Sequence, residues 1–520
     1  MVRENGQKMN NGKYTKAFRS MLTTGMAFIV NYGINLVLTP YLTNHVGTEG
    51  YGFVSLARQF AQYASILTMA LDSFAARHIA VEYYKGDRKR ANVFFSSAFF
   101  GDLLLSSGIM AVVVFAVFFL ERVLNISQEI VADVKLLFLF VFLNFWITTT
   151  FAVFATSAYI KNKLDVVGVF KGLSYGMEAL VLLLAYTLLP ARVFYVGVGL
   201  MAAALVIACS NVWLCKKYTP ELSVRKKNFS VSAVKRLVVD GIWNSVNSLG
   251  ELLNSGLDLV ICNLMLSATA MGQLAIAKTI YSIFGSLFSM ISQAFQPMLL
   301  KSYAKDDREN LLQELRFSMK ISGMFSNVGF AGFTALGLAF YQLWIPNQDI
   351  RQIYWLTVIT ILTVIPGGPM QPLYYIYTLT VKKMFPCLVT IAGGVLNVVS
   401  MYFLISYTRL GVYAVAWTTA IVMMVINFVT NPLYMAHVLH LPWHTFYPNI
   451  IRNVISCSFL TGVFWIFSRL YMPNSWAALV LNILVFFLLG AGMHLMIVCD
   501  GGDWDKIKRY VKKRGAEKDA

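Results

Sequence analysis

Two basic residues stand in apolar segments, where a charge is expensive. Arg58 and Lys278 lie in stretches apolar enough to cross a membrane, and a cation at mid-bilayer costs about 2.5 to 3.5 kcal/mol on insertion scales. Such a charge persists with a partner or in a wet cavity. Phosphate is a natural partner, because a guanidinium can bind two of its oxygens at once. The alternative is that both side chains snorkel to the surface or pair with a nearby carboxylate.

A polar stripe occupies one predicted helix in the second half of the chain. Asn247, Glu251, Asn254 and Asp258 recur at spacings of three or four, which places them on one helical face. Contact of this polar face with lipid is unfavourable, so we expect the face to line a cavity. A proton or sodium coupling site on the same face is a further hypothesis. The same cavity or coupling role is assigned to Asn31, Asn35 and Asp72.

Oxygen ligands for a hard cation are available next to this stripe. Asn397 and the pair Thr418 and Thr419 lie in two later predicted helices. Hard cations are bound by carboxylate, amide and carbonyl oxygens, and we place a sodium ion at Asp258, Asn397 and Thr418. Asn and Thr also bond neighbouring membrane helices for purely structural reasons, which is the alternative.

The segment Ile365 to Pro372 reads IPGGPMQP within a single predicted helix. Proline removes a backbone donor and clashes with the preceding turn, and irregular backbone at membrane depth is tolerated where it is packed in protein or faces water. We therefore expect a hinge or a cavity wall, with a simple kink as the alternative. The residues assigned to this hinge are Pro366, Gly367, Gly368, Pro369 and Pro372.

The amino-acid composition indicates whether the helices that carry these residues lie in water or in a membrane. Hydrophobic residues make up 58% of the 520-residue chain, and the 35 glycines raise the apolar share to about 65%, against about 45 to 50% in soluble domains. Only 13% of the residues are charged. These values exclude a soluble globule and a disordered chain, and they predict an all-α integral membrane protein.

Hydropathy predicts about fourteen membrane spans. They are placed near 21–41, 53–75, 92–120, 135–158, 166–189, 193–214, 241–264, 271–297, 319–345, 352–379, 384–406, 411–435, 450–470 and 475–498.

The spans group into two lobes of six helices and a final pair. We predict a first lobe over residues 1–214, a basic cytoplasmic linker over 215–236 and a second lobe over 237–440. Two extra helices and a basic tail occupy 441–520.

Lysine and arginine alternate between the two sides of the predicted membrane. One side holds 35 of the 43 basic residues, the other holds six, and Arg58 and Lys278 fall within spans. By the positive-inside rule both termini are cytoplasmic. Topology and attraction to anionic lipid account for the net charge of +18, so a nucleic-acid partner is not needed.

The two lobes share an internal repeat at an offset of 220 residues. The loop YYKGDR at 83–88 matches YAKDDR at 303–308, and Gly52, Ala57 and Arg58 match Gly272, Ala277 and Lys278 without a gap. Two sites in one register indicate a duplicated unit. Each unit holds an even number of helices, so the copies share one orientation, as in transporters whose halves are related by an axis along the membrane normal. Arg58 and Lys278 would then face each other, with an anion between them.

The segment Asn31 to Asn92 carries a resemblance to a known family. Its elements TPYL, VGTEGYG and ALDSFAARHIA, followed by the basic loop, resemble the amino-terminal signature of the polysaccharide-export and O-antigen flippases of the Wzx type. These belong to the multidrug/oligosaccharidyl-lipid/polysaccharide (MOP) exporter superfamily, and the helix pattern extends the resemblance over nearly the whole chain.

The resemblance implies a function and a location. It implies flipping of an undecaprenyl-pyrophosphate-linked oligosaccharide to the outer leaflet of the bacterial inner membrane for O-antigen or capsule assembly, driven by an ion gradient, the membrane potential or both. Related lipid II flippases carry basic cavity residues on the second and eighth helices, where Arg58 and Lys278 fall. Those relatives also have a basic residue in the first helix, whereas this chain has Asn31 and Asn35 there.

Other partners and functions complete the expectations. Membrane lipids are expected partners, and a polysaccharide polymerase or export machinery is a further one. No nucleotide-binding or hydrolase motif occurs in the sequence, so we expect no enzyme activity and no cofactor. The competing hypotheses are a multidrug or cation antiporter of the same fold and a non-transport scaffold of a polysaccharide synthase complex.

Overall fold

The computed structural model describes residues 2–504 except Val381 and Lys383, with the backbone alone for residues 2–31, Leu164 and Ser255. Every regular element in this part of the chain is helical. Eleven of its helical segments are long and apolar enough to cross a membrane, which agrees with the predicted all-α integral membrane class. The other three predicted spans fall in the first helix, which holds two of them, and in the helix pair formed by residues 231–255 and 258–265.

Contacts divide the chain into two compact units. Unit 1 comprises Met1–Leu252 and Leu259–Gly272, and unit 2 comprises Leu253–Asp258 and Gln273–Ala520. The predicted boundary at 215–236 follows the duplicated sequence, whereas this division follows contacts, so the two need not coincide.

The helices of the first half of the chain, through the region where the units divide, are α1 Val2–Tyr84, α2 Arg88–Phe118, α3 Leu120–Val123, α4 Val131–Thr150, α5 Thr156–Ile160, α6 Leu164–Leu188, α7 Tyr195–Tyr218, α8 Val231–Ser255 and α9 Asp258–Met265.

The helices of the second half are α10 Ala268–Ala304, α11 Arg308–Trp344, α12 Ile350–Ile361, α13 Val364–Met370, α14 Tyr375–Leu379, α15 Met384–Tyr407, α16 Val412–Val425, α17 Asn431–Val438, α18 Tyr447–Leu470 and α19 Trp476–Val498.

Helix α1 contains two predicted spans and changes direction at one glycine. Gly47 leaves the helical conformation with φ 74° and ψ 174°, a combination that side chains with a Cβ rarely adopt. The turn lies in the VGTEGYG sequence, between the two predicted spans. Gly52, five residues on, packs against Gly272, because a Cβ on Gly52 would lie 2.8 Å from the Gly272 Cα. The two glycines that the repeat equates are therefore in direct contact within unit 1.

Helix α8 packs on α1 within unit 1 through small and polar residues. A Cβ on Gly241 would lie 1.9 Å from the Ala70 carbonyl oxygen, so the two backbones touch. The Ser245 hydroxyl donates to the carbonyl of Ile66 at 2.8 Å. Small residues that let backbones approach are the usual means of joining membrane helices.

The end of the described chain is tied to unit 2 by ion pairs. The Lys320 ammonium, 5% exposed, donates to Asp500 at 2.8 Å and to Asp503 at 2.6 Å. Arg452 adds a third contact, to Asp500 at 2.7 Å. Lys320 holds the pKa of the Asp500 carboxyl below its usual range. Lys320 lies inside α11 and is buried, because these carboxylates neutralise it.

Candidate functional site

Arg58 is held by a buried carboxylate of unit 1. Its Nη2 donates to Glu178 Oε1 of α6 at 2.9 Å, and its Nη1 donates to Asn35 Oδ1 at 3.4 Å. The Arg58 side chain is 38% exposed, whereas that of Glu178 is 9% exposed. Its Nε is buried and makes no hydrogen bond in the described part of the chain. The guanidinium therefore has a partner on one edge and access to solvent or ligand elsewhere.

Lys278 is held by a buried carboxylate of unit 2. Its Nζ donates to Asp258 Oδ2 at 2.7 Å, and the Thr419 hydroxyl approaches the same oxygen at 3.5 Å. The Lys278 side chain is only 18% exposed. Asp258 Oδ1 is buried and has no hydrogen-bond partner among the described residues. The ammonium is therefore more enclosed than the guanidinium of Arg58.

Asp258 begins a new helix, which corrects the prediction of a continuous polar stripe. Helix α8 ends at Ser255 and α9 starts at Asp258, so the periodicity that aligned Glu251 with Asp258 does not run through. The break falls at Gly256, a residue with high conformational entropy and low helix propensity. Glu251 is exposed and accepts a hydrogen bond from Asn247 Nδ2 at 3.0 Å.

The helix break is capped by polar side chains of unit 2. Asn397 Nδ2 donates to the Asn254 carbonyl oxygen at 2.6 Å, and Asn254 Nδ2 donates to the Thr390 carbonyl oxygen at 2.8 Å. A helix end leaves backbone carbonyls without partners, and Asn397 satisfies one of them. Gly394 permits the close approach, since a Cβ there would lie 2.9 Å from the Leu253 carbonyl carbon.

The predicted sodium ligands are only partly brought together. Asn397 Nδ2 lies 3.2 Å from the Thr419 hydroxyl, which neighbours Asp258. Thr418 differs from the prediction: its hydroxyl donates to the Ala414 carbonyl of its own helix at 2.6 Å. Successive helical residues point about 100° apart, so only one of the two threonines faces Asp258. In this arrangement the ammonium of Lys278 supplies the positive charge next to the carboxylate.

A small cavity of about 20 Å³ adjoins this ion pair, a volume that admits a single water molecule. Its polar lining comes from Asp258, Lys278, Tyr281, Thr360, Thr363 and Thr419.

The proline-rich segment is irregular, as its sequence indicates. The predicted span at 352–379 is divided into α12, α13, a 3₁₀ turn at Gln371–Tyr374 and α14. Pro366 and Pro369 lie in α13, and Pro372 lies in the 3₁₀ turn. Gly368 packs tightly, because a Cβ there would lie 2.2 Å from the Ser326 side chain. The segment thus changes from α-helix to a 3₁₀ turn inside packed protein. Its role as a hinge stays a prediction.

Two site residues were missed or misjudged from the sequence. Glu178 stood in an apolar run without an assigned role, although an acidic residue in a span signals a need for a partner. Asp102 is fully buried, next to Asp72. Helix α2 runs from Arg88 to Phe118, which places Asp102 near its middle. Asn31 lies outside the residues whose side chains are described.

Comparison with known proteins relates this arrangement to a family. Residues 17–303 match the family described as polysaccharide biosynthesis protein. The uncharacterized membrane protein EpsK of Bacillus subtilis (strain 168) is 27% identical over 505 residues, covering 97% of this chain and 99% of that protein.

Solved structures of MOP transporters are similar to this chain. An inward-facing multidrug resistance MATE family transporter of the MOP superfamily gives a TM-score of 0.64 at 15% identity, covering 81% of this chain and 98% of that one. The lipid II flippase MurJ, in an inward closed conformation, gives 0.63 at 14% identity, covering 92% and 98%. At these identities the likeness shows the fold alone.

Proposed function

The chain belongs to the polysaccharide biosynthesis protein family, and from that premise we propose that it is a flippase for an undecaprenyl-pyrophosphate-linked oligosaccharide. It moves this repeat unit from the cytoplasmic to the outer leaflet of the bacterial inner membrane by alternating access, for O-antigen or capsule assembly. Both termini lie in the cytoplasm, in keeping with the distribution of Lys and Arg.

One observation carries the proposal: equivalent positions of the internal repeat hold Arg58 and Lys278, each bound to a carboxylate of its own unit. A basic side chain in an apolar span destabilises the inserted protein, so we expect such a residue to be kept where its charge serves a function. We assign both to the pyrophosphate of the substrate, whose oxygens compete with Glu178 and Asp258 for the same donors. Charge-assisted bonds to phosphate are strong enough for this exchange.

The membrane potential supplies a direction for the transport. A pyrophosphate diester carries about two negative charges, and an inside-negative potential favours outward movement by about 2.3 kcal/mol per charge per 100 mV. Transport can thus proceed without ATP, with an ion gradient, the potential or both as the driving force. Flipping that ignores both would contradict this part of the proposal.

The test is flipping of a fluorescent undecaprenyl-pyrophosphate oligosaccharide in proteoliposomes. We expect Arg58→Ala and Lys278→Ala to abolish flipping at matched reconstitution. Arg192→Ala is the control, because Arg192 is also half-exposed and paired with a buried carboxylate, Asp133, at 3.1 Å, but lies outside the proposed site. Wild-type rates in the first two variants would disprove the assignment of the phosphate site, and an inert wild type would disprove the substrate class.

A further inference from the structure

A pair of acidic residues, Asp72 and Asp102, lies in unit 1 where α1 packs on α2. Asp102, in α2, is fully buried. Asp72, in α1, is partly buried, and its carboxyl group neighbours that of Asp102. The packing of α1 on α2 fixes their proximity, because a Cβ on Gly101 would lie 2.7 Å from Leu71 Cδ1. Adjacent residues on both helices therefore meet at this point.

Among the described residues, no hydrogen-bond donor is paired with the Asp102 carboxyl group to stabilise a negative charge there. Neither carboxyl oxygen has a hydrogen-bond partner in the described part of the chain. One turn away on each side of Asp102 are the fully buried residues Ala98 and Ser106, and the Ser106 hydroxyl already pairs with Thr150 of α4 at 3.2 Å. A buried, unpaired carboxylate costs several kcal/mol, so such a group takes up a proton instead.

Other charged groups on the neighbouring elements are paired with each other or lie at least one turn from Asp102 along the helix. His78 of α1 and Asp240 of α8 bind each other at 2.8 Å. Arg225, in the segment after α7, contacts α2 at Ser96, where its backbone amide donates to the Ser96 hydroxyl at 3.2 Å. On α1, Arg58 is paired with Glu178 of α6. Each of these groups has its own partner or lies one or more turns away along the helix.

We propose that Asp72 and Asp102 together form a proton-binding site that couples transport to the proton gradient. One proton passes from water to a carboxylate oxygen of the pair and is shared by the two groups, and it returns to water when the pair is exposed again. Two adjacent carboxyl groups cannot both ionise at low cost. A metal cation fits the site less well, because hard cations take six or more oxygen ligands and the adjoining cluster, which includes Leu71, Ala75 and Ala98, is apolar.

Proton occupancy is tested without any transport substrate. The full-length protein in lipid nanodiscs is titrated in an infrared cell, and the carboxylic acid C=O band is followed in H₂O and D₂O. We expect a band that titrates in the wild type and is lost in Asp102→Asn. Asp240→Asn is the matched control, since its carboxylate is paired with His78 and 40% exposed, and it should leave the band unchanged.

The coupling half of the inference rests on the proposed flippase function and has its own measurement. Proteoliposomes with a trapped pH-sensitive dye report proton movement while flipping is driven by an imposed pH gradient. In Asp102→Asn the flipping rate should no longer depend on the pH gradient, whereas in Asp240→Asn it should still depend on it.

The outcomes separate the two halves. A wild type without a titrating acid band, or a band that survives in Asp102→Asn, overturns the proton site. Loss of the band with an unchanged gradient response overturns the coupling. Failure of the Arg58 and Lys278 variants to impair flipping leaves the infrared result untouched, so a wrong substrate assignment is recognised separately. Thermal unfolding of each variant verifies that the amide replacement preserves the fold.

Discussion

The two copies of the internal repeat place a cation at the same position and hold it differently. Arg58 and Lys278 are equivalent by the offset of 220, but their carboxylates are not: Glu178 lies on α6, and Asp258 begins α9 after the break that follows α8. Arg58 is about twice as exposed as Lys278. The equivalent positions thus share a positive charge, while the carboxylate comes from a different element in each copy.

The two loops that the repeat equates, residues 83–88 and 303–308, also share a position but differ in side-chain contacts. Gly86 and Asp306 both have a positive φ, of 83° and 54°, and the following aspartates cap α2 and α11 in the same way, accepting from backbone amides at 2.9 and 3.1 Å. Around this common backbone the side chains differ. Tyr83 is buried beneath the Arg88 guanidinium, whereas Tyr303 is 39% exposed. Backbone geometry is the shared part of the repeat, and side-chain packing is where the copies diverge.

The largest expected difference is in the cost of removing each carboxylate. Asp258→Asn removes the carboxylate that holds the enclosed Lys278 ammonium, and breaking a buried pair in this way costs about 3–5 kcal/mol. Glu178→Gln should cost less, because Arg58 keeps Asn35 and access to solvent. The measurement is the apparent melting temperature of both variants in the same detergent. Equal losses would contradict the unequal enclosure of the two cations.

Removing both charges in unit 2 sharpens this comparison. Replacing a buried ion pair by apolar residues is often neutral or stabilising by about 1–4 kcal/mol, so Lys278→Met with Asp258→Leu should recover the stability that Asp258→Asn loses. Flipping should remain abolished, because the proposed phosphate ligand is gone. The melting temperature and flipping are measured on the same preparation. A double variant as unstable as Asp258→Asn would indicate that the carboxylate acts through more than Lys278.

The two contacting glycines should respond unequally to alanine. A Cβ on Gly272 would lie 2.1 Å from the Thr48 carbonyl oxygen, which cannot move aside, whereas a Cβ on Gly52 meets in part the flexible end of Met271. Overpacking of this kind costs about 1–3 kcal/mol, with Gly272→Ala the worse of the two.

Gly285→Ala is the control, since Gly285 is also in α10 and has no atom within 4 Å of a Cβ. It should be neutral or slightly stabilising, by about 0.4–1 kcal/mol. Thermal unfolding compares the three variants. An innocuous Gly272→Ala would show that α10 can shift away from Thr48.

The smallest effect is expected in the paired loops. Arg88 lies 3.5 Å from the centre of the Tyr83 ring, so Arg88→Ala should cost about 0.5–2 kcal/mol through loss of the cation–π contact. Arg308 is 72% exposed and borders an open cavity of about 430 Å³, so Arg308→Ala should change stability by less than about 0.5 kcal/mol. Chemical unfolding in detergent resolves the difference, and equal effects would refute the divergence of the two loops.

The sequence by itself determined the membrane class, most of the span positions, the repeat and the two cations. Apolar runs and basic loops are local patterns, so each predicts a membrane span or a cytoplasmic loop without reference to the rest of the chain. The irregular segment around Pro366 was predictable for the same reason, because proline acts on its own backbone.

The tertiary structure alone decided which carboxylate each cation meets. Glu178 is 120 residues from Arg58 along the chain, and no spacing rule connects them. Gly256 interrupts a polar pattern that looked continuous, and only packing showed that Thr419 rather than Thr418 faces Asp258. Asp72 and Asp102 likewise became a pair only when α1 packed on α2. Periodicity fixes which face of a helix is polar, but the partner of that face is set by the helices that pack against it.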